Sequence, residues 1–129
     1  MAISPISPAK PDMSVLNEHI YGYKHGIRHL VLQVESMKDK DAIEKRLKRD
    51  DLNYMLSPAP GGRNLNVFFG DKPCVDVIKS FNQPELGKYT PEQDFILGVL
   101  LGYDKTKQCE RYLKLKDKEA KKQGLNLVA

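Results

Sequence analysis

The sequence predicts an α+β fold built on a small three-stranded sheet, and three observations lead to that prediction. Segments 29–36, 52–57 and 64–69 are short, rich in apolar residues and bounded by turn residues, as is typical of strands. Helical patterns precede the first strand, join it to the second and follow the third. A right-handed crossover followed by a hairpin places the third strand between the other two. We therefore expect strand order 1-3-2 in an antiparallel or mixed sheet. This is the β-α-β-β-α half of a ferredoxin-like fold, extended by an N-terminal helix and two C-terminal helices.

The length and composition of the chain are those of one globular domain. It has 129 residues, of which 40% are apolar and 29% are charged. Prolines at positions 5, 8 and 11 predict a disordered leader at 1–12, followed by a single α/β domain at 13–122 and a tail at 123–129. The longest apolar run is much shorter than the roughly 20 residues that cross a bilayer. Two cysteines without a signal peptide favour reduced thiols and a cytoplasmic location.

The first helix is predicted at Val15–Lys24, with Ser14 as its cap. In the strand that follows, HLVLQVES, the residues Leu30, Leu32 and Val34 share one face. We expect that face to be the more apolar and the more buried one.

The second helix is predicted from Asp39 to about Asp50, and its narrow apolar stripe is typical of a surface helix lying over a sheet. The third strand, LNVFF, is apolar on both faces towards its end, which favours the central position in the sheet. The loop PAPGGRN between the second and third strands has the composition of a hairpin turn. It lacks the GxxxxGK[ST] pattern of a phosphate-binding loop.

The third helix follows Asp71 and carries Cys74, Val77, Ile78 and Phe81 at i, i+3, i+4 and i+7, a pattern that predicts a core-facing stripe. Cys74 lies near the helix start, where a thiol can become nucleophilic. Its place on the stripe favours instead a small buried side chain.

The segment Thr90–Tyr103, TPEQDFILGVLLGY, is the most apolar part of the chain. Thr90, Pro91 and Gln93 form the pattern of a capping box, so a helix begins here. Residues 95–101 are apolar except for Gly98, and a helix that is apolar all round is expected to be buried in a core or against a partner. Gly102 either separates this helix from the last one or kinks one long helix.

The formal net charge of +4 is confined to residues 104–122, which hold eight basic and four acidic side chains. The rest of the chain is neutral, so a neutral body is followed by a basic helix. Together with aromatic residues and the basic residues Lys24 and Arg28, this helix indicates a partner-binding surface. The candidate residues are Tyr21, Lys24, Arg28, Tyr103, Lys105, Lys107 and Arg111.

Three histidines, His19, His25 and His29, are weak candidates for a metal site. Their spacing does not put two ligands on one helix face, so surface positions are favoured. The sequence has no GxSxG or HExxH motif, no paired carboxylates and no flavin- or nucleotide-binding motif. We expect a protein that is not an enzyme and has no cofactor of its own.

A resemblance rests on three segments: HIYGYKHGIRHLVL, NVFFG followed by Cys74, and TPEQDFILGVLLGYDKTKQCERYL. Together they are similar to a small bacterial family of α/β proteins whose members are found beside or fused to flavodoxin. The similarity spans about 17–113 and assigns a role to no residue. It implies a flavodoxin-like partner, and such an acidic protein would suit the basic helix.

The resulting hypothesis is a protein-binding module that docks to, or modulates, an acidic redox partner such as flavodoxin. Three alternatives stay open. One is a homo-oligomer in which the apolar helix packs on its copy through Gly98 and Gly102. Another is a ferredoxin-like domain that senses a small molecule. The third is nucleic-acid binding through the basic helix, which the interleaved acids disfavour.

Overall fold

The computed structural model describes residues 12–124. Residues 1–11 of the predicted leader and residues 125–129 of the predicted tail lie outside this range. The elements, in chain order, are α1 (Ser14–Lys24), β1 (Leu30–Ser36), α2 (Lys40–Arg49), β2 (Asn53–Pro58), β3 (Asn64–Gly70), α3 (Lys72–Ser80), α4 (Pro91–Leu100) and α5 (Lys105–Lys122). Two single 3-10 turns, Met37–Asp39 and Leu86–Lys88, lie in the connections. The fold class and the order of elements are those that the sequence predicts.

The sheet has the order β1-β3-β2, and β3 is antiparallel to both of its neighbours. Leu30 and Asn53 both lie opposite Gly70 at one end, and Ser36 lies opposite Asn64 at the other. Every residue of β3 after Asn64 is buried. The predicted central position of this strand is therefore confirmed.

Helices cover both faces of the sheet because alternate residues of β3 point in opposite directions. On one face Val67 and Phe69 pack with residues of α1 and α2, including Leu16 and Leu47. On the other face Phe68 packs with residues of α3 and α4. These are Val75, Ile78 and Leu97, and together with Leu101, which directly follows α4, they form what we call the second core.

Two predicted buried faces differ in the structure. In β1, Val34 is 60% exposed, whereas Gln33 is only 5% exposed, so the apolar face is buried only near the start of the strand. In α3, Val75 turns towards the core and Val77 is exposed. In β1 only the start of this face is covered by helices. In α3 the stripe that packs on the core includes Val75 in place of Val77. Periodicity within one element predicts neither feature.

The helix α4 begins as predicted, because both hydrogen bonds of the capping box between Thr90 and Gln93 are present. It ends in a turn at Gly102, whose φ is +83°. The amide of Tyr103 donates to the carbonyl of Gly98 (3.1 Å) and that of Gly102 to Val99 (3.0 Å), which is a Schellman motif. Gly102 therefore separates α4 from α5.

The expectation that α4 is buried on all sides is wrong. Leu97, Gly98 and Leu101 are buried, but Phe95 is only half-buried and Ile96 is 36% exposed. One side of α4 lies on the second core and another lies against α5, while the side with Phe95 and Ile96 faces outward. Among the described residues, no helix is long and apolar enough to cross a membrane.

Candidate functional site

The structure brings part of the predicted binding surface together at the end of the sheet where β1 begins. Arg28, in the loop between α1 and β1, and Tyr103, in the turn between α4 and α5, line the same small cavity. Lys105 and Lys107 follow in the first turns of α5 and are exposed. These four residues belong to one end of the molecule.

The other predicted residues are engaged within the chain. Lys24 lies 3.6 Å from the carboxylate of Asp50, on the α1–α2 side of the sheet. Arg111 donates two hydrogen bonds to Asp94 of α4, at 2.7 and 2.9 Å, and this pair holds the pKa of Arg111 above its usual value. Both cations therefore have an ion-pair partner within the chain, which the sequence did not predict.

Tyr21 is exposed, and its ring stacks on that of His25 with centroids 3.9 Å apart. The Nδ1 of His25 bonds to the carbonyl oxygen of Tyr21, and the Nδ1 of His19 to the amide oxygen of Gln33. His29 bonds to Asp71. The three histidines thus have separate partners, and within residues 12–124 no group of three or more His, Cys, Asp or Glu side chains is placed to hold a metal ion.

A polar cluster that the sequence did not reveal lies where β3 ends. The hydroxyl of Tyr23 donates to one oxygen of Asp71 (2.9 Å), and the Nδ1 of His29 lies 2.8 Å from the other. The bonds from His29 and Tyr23 lower the pKa of Asp71, and burial together with the bond to Asp71 raises the pKa of Tyr23 to about 12. No local pattern predicts this cluster, because its members are 42 and 48 residues apart.

Cys74 lies one turn beyond Asp71 and packs against the second core. Burial, and then the nearby charge of Asp71, raises the pKa of this thiol. A raised pKa keeps a thiol protonated, so the position does not activate Cys74 as a nucleophile. Cys74 and Cys109 are both free thiols.

Gly98 does not leave a bare surface for a second copy of the chain. The side chain of Gln108 in α5 occupies the space where a Cβ would stand. Gly102 is used by the turn that ends α4. Gly98 is therefore occupied by a contact within the chain, which the sequence did not predict.

A large, mainly apolar depression lies on the outer side of α4 and α5. Its volume is about 550 Å³, and its walls are Glu92, Phe95, Ile96, Cys109, Tyr112 and Leu113. Leu113 is 64% exposed, and the ring centroids of Phe95 and Tyr112 lie 5.6 Å apart. We call this feature the α4–α5 groove. The side of α4 that was expected in the core is one of its walls.

Polar contacts at one end hold the α4–α5 groove in shape. The hydroxyl of Tyr112 donates to Glu92 (2.8 Å), and the ammonium group of Lys116 lies 3.3 Å from the same carboxylate. The hydrogen bond from Tyr112 is the main cause that lowers the pKa of Glu92, and Lys116 lowers it further. On the opposite side of the helix pair, the Arg111–Asp94 bonds join the same two helices.

A row of basic residues runs along the solvent side of α5, at spacings of three and four that place them on one helix face. We call this row the basic stripe: Lys107, Arg111, Lys114, Lys118 and Lys122, all of which are exposed. Arg111 is the member with an ion pair among the described residues. The lysines of the stripe are therefore presented to solvent on the face of α5 that carries Arg111, which is the face turned away from the α4–α5 groove.

Comparison with protein families gives one finding. A family model described as "Protein of unknown function (DUF2023)" matches residues 14–115, which span α1 to the middle of α5. The chain belongs to the DUF2023 family. No curated protein matches the chain.

The match to the DUF2023 family includes the sheet, the polar cluster at Asp71 and the walls of the α4–α5 groove. It ends before Lys118 and Lys122, so the last part of the basic stripe lies beyond it. The description of the DUF2023 family names no partner and no activity. A functional hypothesis therefore depends on the surface of this chain.

Proposed function

We propose that this member of the DUF2023 family is a protein-binding module that docks an acidic partner on its α4–α5 face. The observation that carries the proposal is the α4–α5 groove, an apolar surface that no described residue covers. A contiguous apolar surface that includes aromatic side chains is typical of interaction sites. Since Phe95 and Tyr112 are fixed by their neighbours, the groove exists before the partner arrives.

Apolar contact supplies the affinity in this proposal. A partner side chain in the α4–α5 groove would cover Ile96 and Leu113, which are the most exposed apolar residues of its walls. Removing apolar surface from water is worth about 25 cal/mol per Å². Aromatic side chains such as Phe95 and Tyr112 are often among the few residues that carry most of the binding energy of an interface.

Charge supplies the choice of partner. The basic stripe and Lys105 put positive side chains on the helix that forms one wall of the groove. A positive surface accelerates encounter with an acidic protein and disfavours a basic one. The acidic residues Glu110 and Asp117 on the same helix reduce but do not cancel this effect.

A flavodoxin-like protein is the specific acidic partner that we propose, on the basis of the family resemblance. Flavodoxins are acidic, and the sequence of this chain contains no flavin- or nucleotide-binding motif. On this proposal the chain docks to the redox protein or modulates it. Arg28 and Tyr103 extend the surface at the near end of α5.

Binding kinetics with the flavodoxin of the same organism test the proposal. Leu113→Ser should raise the Kd at least tenfold through faster dissociation, because it removes an apolar wall of the groove. Val15→Ser is the matched control, since Val15 is a 50% exposed helix residue on the other face of the sheet. Equal affinity of the two variants and the wild-type protein would overturn the groove as the interface.

The charge part has its own test. Lys105→Glu with Lys107→Glu should slow association several-fold and reduce its dependence on salt. The matched control is Lys45→Glu with Lys48→Glu on α2, which removes two exposed lysines from the opposite face. Association that is unchanged by the α5 pair, or at about 0.5 M salt, would rule out steering by this helix.

A second copy of the chain is the competing occupant of the groove. Sedimentation at micromolar concentration distinguishes the two cases. The proposal predicts a monomer for the wild-type protein. A dimer that Leu113→Ser converts to a monomer would show instead that the α4–α5 groove joins two copies. That result would overturn the proposal that a different protein occupies the groove.

A further inference from the structure

A second cavity lies at the end of the sheet, apart from the α4–α5 groove. The loop between α1 and β1 contributes Ile27, Arg28 and His29, and the segment from the end of α4 to the next turn contributes residues 99–103. Its volume is about 240 Å³. The two connections that form it are 70 residues apart in the sequence but meet over the start of β1.

The walls of this cavity combine apolar and cationic chemistry. Ile27, Val99 and Leu100 provide aliphatic surface, and Arg28 provides a guanidinium group. Arg28 is exposed and has no side-chain hydrogen bond or ion pair among residues 12–124. A guanidinium without an internal partner is available for a planar, bidentate contact with a carboxylate.

A hydrogen bond to Asp71 fixes the orientation of the His29 ring. Its Nδ1 lies 2.8 Å from Asp71, whose other oxygen accepts the hydroxyl of Tyr23. An ionised carboxylate only accepts hydrogen bonds, so the Nδ1 of His29 donates to Asp71. The imidazole is thus oriented before any ligand binds, as second partners orient histidines in many binding sites.

The C-terminal end of α4 forms part of the wall of this cavity. The Schellman turn satisfies Gly98 and Val99 through the amides of Tyr103 and Gly102. The negative partial charge at a helix C-terminus opposes an anion, so in this cavity the attraction must come from the guanidinium group of Arg28. The hydroxyl of Tyr103 adds a neutral polar group to the wall.

We infer that this cavity binds a small organic acid, in which a carboxylate meets Arg28 and a short branched apolar chain meets the aliphatic wall. The volume equals that of about eight water molecules in the liquid, which corresponds to an acid of about eight non-hydrogen atoms. The inference does not rest on the proposed function. The cavity and the α4–α5 groove share no residue.

The probe is 4-methylpentanoate, followed by two-dimensional ¹H–¹⁵N NMR of the full chain at about pH 7. Its amide, 4-methylpentanamide, is the uncharged control of the same shape. We expect saturable shifts of the amides of Ile27–His29 and Val99–Tyr103 with a Kd of about 1 mM, the range for a ligand of this size. The amide should bind at least tenfold more weakly, because it cannot make the charge-assisted contact.

Two variants of equal charge separate the site from general electrostatics. Arg28→Gln should weaken 4-methylpentanoate about tenfold. Arg63→Gln is the control, since Arg63 is an exposed arginine in the β2–β3 turn at the opposite end of the sheet. Equal effects of the two variants would overturn the inference.

Other outcomes also decide the matter. Equal binding of the acid and the amide, shifts outside the lining residues, or inorganic phosphate binding as tightly as the acid would each overturn the inference. Leu113→Ser should leave acid binding unchanged. Loss of partner binding in that variant with intact acid binding keeps the two proposals separate.

Discussion

Replacing Gly70 with alanine is the most direct test of how the sheet end is built. Gly70 ends β3 and lies opposite Leu30 of β1. A Cβ at this position would stand 2.9 Å from the Cα of Leu30 and 3.0 Å from the carbonyl carbon of His29, and it would overlap the carbonyl oxygen of His29. All three obstacles are backbone atoms, so rotation of a side chain cannot relieve the contact.

The cost follows from what must move. The carbonyl of His29 accepts the amide of Asp71 (2.8 Å), so relief requires the end of the β1–β3 ladder to open and Asp71 to shift with it. Overpacking of a well-packed site costs about 1–3 kcal/mol. We expect Gly70→Ala to lower the free energy of unfolding by about 3 kcal/mol, the upper end of that range, and the melting temperature by roughly 10 °C.

Urea denaturation followed by circular dichroism measures the change, and Gly22→Ala is the matched control. Gly22 lies in α1, and a Cβ there would have nothing within 4 Å. Alanine in a helix is favoured over glycine by about 0.5–1 kcal/mol, so this variant should be more stable than wild type. A Gly70→Ala protein within about 1 kcal/mol of wild type would refute the reasoning, whatever the control does.

Three further predictions concern single side chains. Thr90→Ala removes the oxygen that caps α4 and should lower the unfolding free energy by about 1 kcal/mol in urea; an unchanged midpoint would contradict the cap. Hydrogen bonds from His29 and Tyr23 lower the pKa of Asp71 from its usual 3.8. The ionised carboxylate therefore stabilises the fold above pH 3.8, and this stabilisation is lost as the pH falls through the lowered pKa. Asp71→Asn should therefore destabilise the protein at neutral pH and much less near pH 2.5, and an equal loss at both pH values would oppose this. With Ellman's reagent, the exposed Cys109 should react first and the half-buried Cys74, whose pKa is raised, much more slowly, so that Cys109→Ser abolishes the fast phase.

The features that the sequence predicts correctly depend on local chemistry or on chain connectivity. The capping box at Thr90 is complete within four residues, so its pattern is sufficient. Strand order 1-3-2 follows from one crossover and one hairpin. The central position of β3 follows from apolar residues on both of its faces.

The features that it does not predict depend on which neighbour is present. The residues of α4 are apolar on every side, and hydrophobicity alone cannot show that one side would remain open beside α5. The pairing of Arg111 with Asp94 requires two helices to be antiparallel across a turn. The cluster at Asp71 requires α1, β1 and β3 to converge.

The attachment of α5 along one side has a consequence for hydrogen exchange. Among the described elements α5 packs chiefly on α4, whereas β3 is enclosed by two strands and two helical layers. A helix held along one side detaches at a lower free energy than global unfolding requires, so its amides should exchange first. Because α5 forms one wall of the α4–α5 groove, the groove is lost whenever α5 detaches. A molecule bound in the groove would therefore slow amide exchange in α5 and leave that of β3 unchanged.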